Sequence, residues 1–208
     1  MEPVKKGTIV TSPHKTKQTL YLVKSGAVRL YSMTAEGREL TLDVLAAGHL
    51  FGEIGSLVSE SSMYAVTLED SIICTIDYEQ FKSLLREKPE LSIKFIEIMS
   101  ARIKEVEELL EHMAYSSVRI RLLYLLHKLA NKFGENSIGK ESEAVQHDWI
   151  KLGVELTHQE LASMTGCIRE TVTETLNRLA AEGILIKSGV RQPLWVHIDR
   201  LKDELARH

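Results

Sequence analysis

Thr157-His158-Gln159-Glu160-Leu161-Ala162-Ser163-Met164-Thr165-Gly166-Cys167-Ile168-Arg169-Glu170-Thr171-Val172-Thr173-Glu174-Thr175-Leu176-Asn177-Arg178-Leu179 reads as two short helices joined at a glycine. Thr157 with Glu160 three residues later is a capping box, which marks a helix start. Leu161 and Met164 give the first helix a buried face. Ala162 suits the close crossing of the second helix. Gly166 supplies the positive φ of a tight inter-helix turn. The second helix is expected to bury Ile168, Val172, Leu176 and Leu179. Arg169, Glu170, Thr173, Glu174 and Asn177 then form an exposed face of donors and acceptors, as major-groove readout requires.

Downstream, Gly183-Ile184-Leu185-Ile186-Lys187 and Leu194-Trp195-Val196-His197-Ile198, with a turn at Ser188-Gly189 between them, read as a β-hairpin. This is a wing beside the second helix. Upstream, Val118–Phe133 reads as a helix with Ile120, Leu123, Leu126, Leu129 and Ala130 buried. The polar connection over 134–152 is long for a loop and is expected to hold a turn and a short strand.

Before Lys88-Pro89 the segments are short, β-branched and punctuated by glycine. Gly7-Thr8-Ile9-Val10, Leu20-Tyr21-Leu22-Val23, Ala27-Val28-Arg29-Leu30-Tyr31, Leu40-Thr41-Leu42-Asp43-Val44-Leu45, Tyr64-Ala65-Val66-Thr67-Leu68 and Ser71-Ile72-Ile73-Cys74-Thr75-Ile76 read as strands of a sandwich or roll. Residues 77–86 follow as a short helix with Asp77 as N-cap. After Pro89, Ile96, Met99, Ile103, Val106, Leu110 and Met113 alternate at spacings of three and four. No Gly or Pro interrupts them, which is the seam of a two-stranded coiled coil. Phe95 and Leu109 form a second apolar line for the sheet.

The chain has 208 residues and a formal net charge of −3. From Lys140 onward, nine Lys/Arg stand against eleven Asp/Glu. Any nucleic-acid contact therefore comes from a local face rather than bulk charge. Cys74 and Cys167 are far apart and no CxxC occurs, which removes a zinc ribbon or four-cysteine iron–sulfur cluster. Two lone thiols suit a reducing cytosol. The N-terminus lacks a secretory apolar segment and no run reaches membrane-span length, so a soluble cytoplasmic protein without membrane contact is expected. No HxH pair, nucleophile elbow or phosphate-binding loop occurs, which argues against a cupin-type metal enzyme or any other enzyme. No metal site is expected.

Gly48-His49-Leu50-Phe51-Gly52-Glu53-Ile54-Gly55, Gly37-Arg38-Glu39-Leu40 and Gly166-Cys167-Ile168-Arg169-Glu170-Thr171-Val172 strongly resemble the cAMP receptor protein/fumarate-nitrate regulator family of bacterial transcription factors. The resemblance runs over nearly the whole chain. It implies an α+β fold: an N-terminal β-roll of the double-stranded jelly-roll kind over 1–88, a dimerisation helix over 89–115, and a winged helix-turn-helix over 116–208. It implies promoter DNA, a second copy of the chain and RNA polymerase as partners. Its pocket would fall on Phe51, Gly52, Glu53, Ile54, Met63, Tyr64, Val106 and Glu107.

The departures from the family bear on function. Met63 and Tyr64 stand where cAMP-binding members place an Arg-Ser pair for the cyclic phosphate. Val106 and Glu107 stand at the adenine-contacting Thr-Ser. A phosphate buried without a cation is costly, so cAMP is not the expected effector, which is left unidentified with no cofactor assigned. Glu174 replaces a family arginine that reads guanine; a carboxylate instead accepts from cytosine N4. Arg169 and Glu170 carry over as base readers, and Thr171, His158 and Gln159 as phosphate contacts. The primary expectation is a ligand-responsive regulator. Two alternatives stand beside it: a constitutive regulator with a vestigial roll, and a haem or thiol sensor using His49, His112, Cys74 or Cys167.

Overall fold

A computed structural model describes residues 2–13, 18–52, 63–135, 148–187 and 194–207. The chain divides into two compact units, Met1–Ala114 and Tyr115–His208.

The first unit is a roll of two antiparallel sheets. Its strands are β1 (Ile9–Thr11), β2 (Thr19–Ser25), β3 (Val28–Met33), β4 (Glu39–Leu45), β5 (Leu50–Gly52), β6 (Met63–Thr67) and β7 (Ile72–Asp77). The orders are β1-β6-β3-β4 and β5-β2-β7. Core residues recur at every second position where the two sheets face each other, Tyr21 and Val23 on β2 and Val28 and Leu30 on β3. Tyr21, Val23, Val28, Leu30, Leu45, Phe51 and Ala65 from both sheets form that core. Tyr21 stacks on Phe51 with centroids 4.8 Å apart. Gly26 turns β2 into β3 at φ +89°, where a Cβ would strike Ser71 Oγ at 2.2 Å. Leu50–Gly52, part of the stretch matched to the family's pocket turn, is itself a strand, paired Leu20 to Gly52 and Leu22 to Leu50. Cys74 lies on β7 but is half-buried rather than enclosed.

Helix α1 (Tyr78–Glu87) starts where expected, with Asp77 accepting from Gln80 N at 2.8 Å. Helix α2 (Glu90–Tyr115) follows without a single buried residue. Phe95 meets Phe81 of α1 edge-on at 5.2 Å. Arg102 forms an ion pair with the buried Asp43 carboxylate of β4.

The second unit is built around α3 (Val118–Phe133), capped by Ser117. Leu122 and Leu125 are buried along with the five residues expected, because α4 (His158–Thr165), α5 (Arg169–Ala181) and α6 (Ile198–Ala206) pack around it. The wing is a four-stranded sheet, ordered β10-β11-β9-β8. Its strands are β8 (Gly134–Glu135), β9 (Trp149–Leu152), β10 (Leu185–Lys187) and β11 (Leu194–His197). The connection over 134–152 thus contributes two strands. The turn expected at Ser188-Gly189 lies outside the described residues. Helix α6 begins at Ile198, the last residue read as strand, and buries Leu201.

Gly52 is at φ +115°, and a Cβ there would lie 2.2 Å from Thr19 O. Gly52→Ala is expected to cost roughly 1–3 kcal/mol, read as a lower urea midpoint at unchanged m-value.

Candidate nucleic-acid interface

Helices α4 and α5 are set by their ends. Thr157 Oγ1 accepts from Glu160 N at 3.1 Å, and Glu160 Oε2 accepts from Thr157 N at 2.7 Å. This reciprocal pair satisfies donors that the first turn leaves open. Gly166 closes α4 in the left-handed region at φ 61°, its N–H donating to Ala162 O. Leu161 and Ala162 are fully enclosed, as are Val172, Leu176 and Leu179 of α5. The crossing is therefore fixed by close packing on both helices. Thr165 Oγ1 donates to Leu161 O at 2.9 Å and lies 3.0 Å from Cys167 Sγ, so the thiol belongs to the turn's packing.

Ile168 corrects the sequence reading. It is the N-cap of α5 and 65% exposed, not buried. Its position before the first helical turn removes it from the 3.6-residue row of Val172, Leu176 and Leu179. An isoleucine has no side-chain acceptor, so the first N–H groups of α5 lack a side-chain cap. Uncapped donors with the positive end of the helix dipole attract anions.

The exposed face of α5 carries Arg169, Glu170, Glu174, Asn177 and Arg178. Thr173 is half-buried, and its hydroxyl donates to Arg169 O at 2.9 Å. That uses its one proton, so His158 Nδ1, 2.8 Å away, must donate to Thr173 Oγ1. Burial, then the charges of Lys187 and Arg169, hold the His158 imidazole below the usual histidine range. Lys187 of β10 donates to Asn177 Oδ1 at 2.8 Å, joining the wing to α5, and burial lowers the pKa of its ammonium. Arg178 Nη2 lies 2.5 Å from Glu174 Oε1. Gln159 is exposed on the first turn of α4, and Thr171 is half-buried on the first turn of α5. The candidate contacts thus converge on adjoining turns of α4 and α5.

Sequence reading missed Arg178 and Lys187. The i,i+4 spacing of Glu174 and Arg178 was an available signal. The Lys187–Asn177 bond depends on where the wing folds back and has no local signature.

In the roll, Phe51 is enclosed against Tyr21 and Met63 packs on the same core. Tyr64 stacks on Tyr31 at 5.1 Å, and the Arg29 guanidinium lies 4.3 Å from the Tyr31 ring centroid. Arg29 is itself held by Glu39 at 2.7 Å. Glu53 and Ile54 lie outside the described residues. Val106 and Glu107 are exposed on α2. The described pocket candidates therefore divide between the roll's aromatic core and an open helix face.

Residues 1–88 match the cyclic nucleotide-binding domain and residues 120–203 the Crp-like helix-turn-helix domain. The chain is 32% identical over 169 residues to the cyclic AMP receptor protein of Thermus thermophilus, covering 81% of this chain and 71% of that one. It is 28% identical over 182 residues to the global nitrogen regulator of Synechococcus elongatus, covering 86% and 78%. Among solved structures, a CooA mutant from Carboxydothermus hydrogenoformans matches with a TM-score of 0.77 at 26% identity, over 98% of this chain and 86% of that one.

Burial, with the Lys202 charge second, likewise lowers the pKa of His127 on α3. A folded-state pKa below the unfolded value favours the fold above about pH 6.5, and that contribution is lost as pH falls through the folded value. The melting temperature should therefore fall between about pH 7.5 and pH 5.5. A His127→Gln/His158→Gln variant should show a shallower slope in the same scan. Equal slopes would show that the fold holds neither ring neutral.

Proposed function

The chain belongs to the cAMP receptor protein/fumarate-nitrate regulator family of transcription regulators, and on that premise we propose that it is a homodimer that reads promoter DNA with α5 under control of an effector other than cAMP. The observation that carries DNA reading is the α4–α5 turn. Its capping box, left-handed Gly166 and enclosed Ala162 present a polar helix face outward. Arg169 and Glu170 project from the first turn of that face, where donors and acceptors reach base edges. Thr173 and Glu174 follow one turn later. Thr171 and Gln159 lie at helix N-termini that favour phosphate, and His158, whose Nδ1 holds Thr173, gains a second donor for phosphate at Nε2 only when its ring is protonated. By the family resemblance rather than by any contact described above, RNA polymerase is the further partner proposed.

Dimerisation rests on α2. Ile96, Ile103, Val106 and Leu110 are 59, 59, 46 and 63% exposed, and Met99 and Met113 lie half-buried on the same seam. Covering the four exposed residues contributes on the order of 1 kcal/mol apiece per chain. Ile103 is at the seam's centre.

The effector reading rests on chemistry at the matched positions. The Thermus protein's name is that of a cyclic AMP receptor. Here Met63 packs on apolar core and Tyr64 on an aromatic ring, and neither supplies a cation for a cyclic phosphate. The filled Tyr21–Phe51 contact also favours a second reading, a constitutive regulator with the roll as scaffold. Tight specific DNA binding by the purified protein without added ligand selects that second reading.

Arg169→Ala is expected to weaken binding to the specific duplex by about 1–3 kcal/mol in fluorescence anisotropy, with little change on random duplex. Ile103→Lys should sediment as a monomer at micromolar concentration while keeping its helical circular dichroism. A dimer that persists would sink the seam assignment.

A further inference from the structure

The exposed row of α5 contains two carboxylates, Glu170 and Glu174, on a surface proposed to meet a polyanion. Glu174 does not stand bare. Its Oε1 accepts from Arg178 Nη2 at 2.5 Å, both side chains being largely exposed at 64 and 70%. An exposed i,i+4 pair adds little to stability, so its placement is the informative property. The neighbouring polar groups are already committed. Thr173 donates to Arg169 O and accepts from His158, and Asn177 Oδ1 accepts from Lys187. Lys187 keeps its charge but stands on the wing, so on α5 itself, beyond the first turn, Arg178 is the cation that this face can offer to DNA.

We infer that Arg178, positioned by Glu174, is a specificity-determining residue that reads a guanine, and that Glu174 acts through it rather than contacting a base. This rests on the DNA-binding reading above. A carboxylate facing phosphates is repelled unless neutralised, and the pair supplies that neutralisation. The guanidinium carries five N–H donors in a planar fork, and one carboxylate engages at most two. The remainder match the O6/N7 edge of guanine. The carboxylate restricts the long side chain's rotamers, so less freedom is lost when the fork docks. Glu170, Glu174 and Arg178 follow one another at i+4 along one row, so a cation at Arg178 lies one turn beyond the carboxylate.

The test is selection of random duplexes by the full-length protein, comparing the wild type with Arg178→Ala, Glu174→Ala and the double variant. Arg178→Ala should lose the guanine preference at one base pair of each half-site, by about 5- to 150-fold. Glu174→Ala should blur the same base pair more mildly. The double variant should match Arg178→Ala. A Glu174→Ala change at a different base pair would show that Glu174 reads a base itself. Uniform weakening by Arg178→Ala with a shallower salt dependence would make Arg178 a phosphate contact; this result, like an unchanged motif, overturns the inference alone. A wild type that enriches no motif overturns the DNA-binding reading and this inference with it.

Discussion

Helix α2 runs for 26 residues without a buried side chain, yet carries an apolar seam of which Ile96, Ile103, Val106 and Leu110 are roughly half exposed or more. Helices in proteins are stabilised chiefly by packing an amphipathic face, and propensity alone sustains a long helix poorly in water. In the proposed homodimer this surface is covered, and the strict three-four spacing suits a second copy of α2 lying nearly parallel to it. Much of the proposed function depends on this pairing, because two reading helices can recognise a two-fold site only if something joins the chains that bear them.

The roll determines which way the seam points. Phe95 and Arg102 are seven residues apart and share one row beside the seam, roughly a quarter turn around the helix from its centre. Phe95 meets Phe81, and Arg102 meets the buried Asp43. One row of α2 is thereby turned toward its own roll and the neighbouring row is left open. Breaking a pair with a buried carboxylate is far more costly than breaking a surface pair, so this tie resists rotation of the helix. An effector in the roll could reach the seam through the same contacts, by favouring one of two settings of α2.

What was legible in the sequence follows from locality. The capping box of Thr157 and Glu160, the left-handed Gly166 and the Val172-Leu176-Leu179 row are set by residues within a few positions of one another, and all are in place. Features fixed by distant partners were not visible. Leu122 and Leu125 stand outside the row of Ile120, Leu123, Leu126, Leu129 and Ala130, and are buried because three further helices enclose α3. Strand β5 exists because β2 offers it an edge, and the Lys187–Asn177 bond exists because the wing returns beside α5. Ile168 was misread for a local reason. Continuing a 3.6-residue row one step backward ignores that the chain leaves helical geometry at the N-cap, where Ile168 adopts ψ 154°.

The same N-cap bears on how a near-neutral unit can hold DNA. With nine cations against eleven carboxylates from Lys140 onward, long-range attraction is weak and short-range geometry must supply the affinity. An isoleucine there donates nothing and accepts nothing through its side chain. It leaves the first N–H groups of α5 uncapped, where a serine or aspartate would have occupied one and, in the case of aspartate, added a charge that repels phosphate. Arg169 stands immediately after it. The helix start thus presents oriented backbone donors beside Arg169 and Glu170 of the first turn, and the Glu174–Arg178 pair lies farther along the face. Backbone donors at the N-cap can hold a phosphate, and the side chains from Arg169 onward then read base edges in the register that the phosphate fixes.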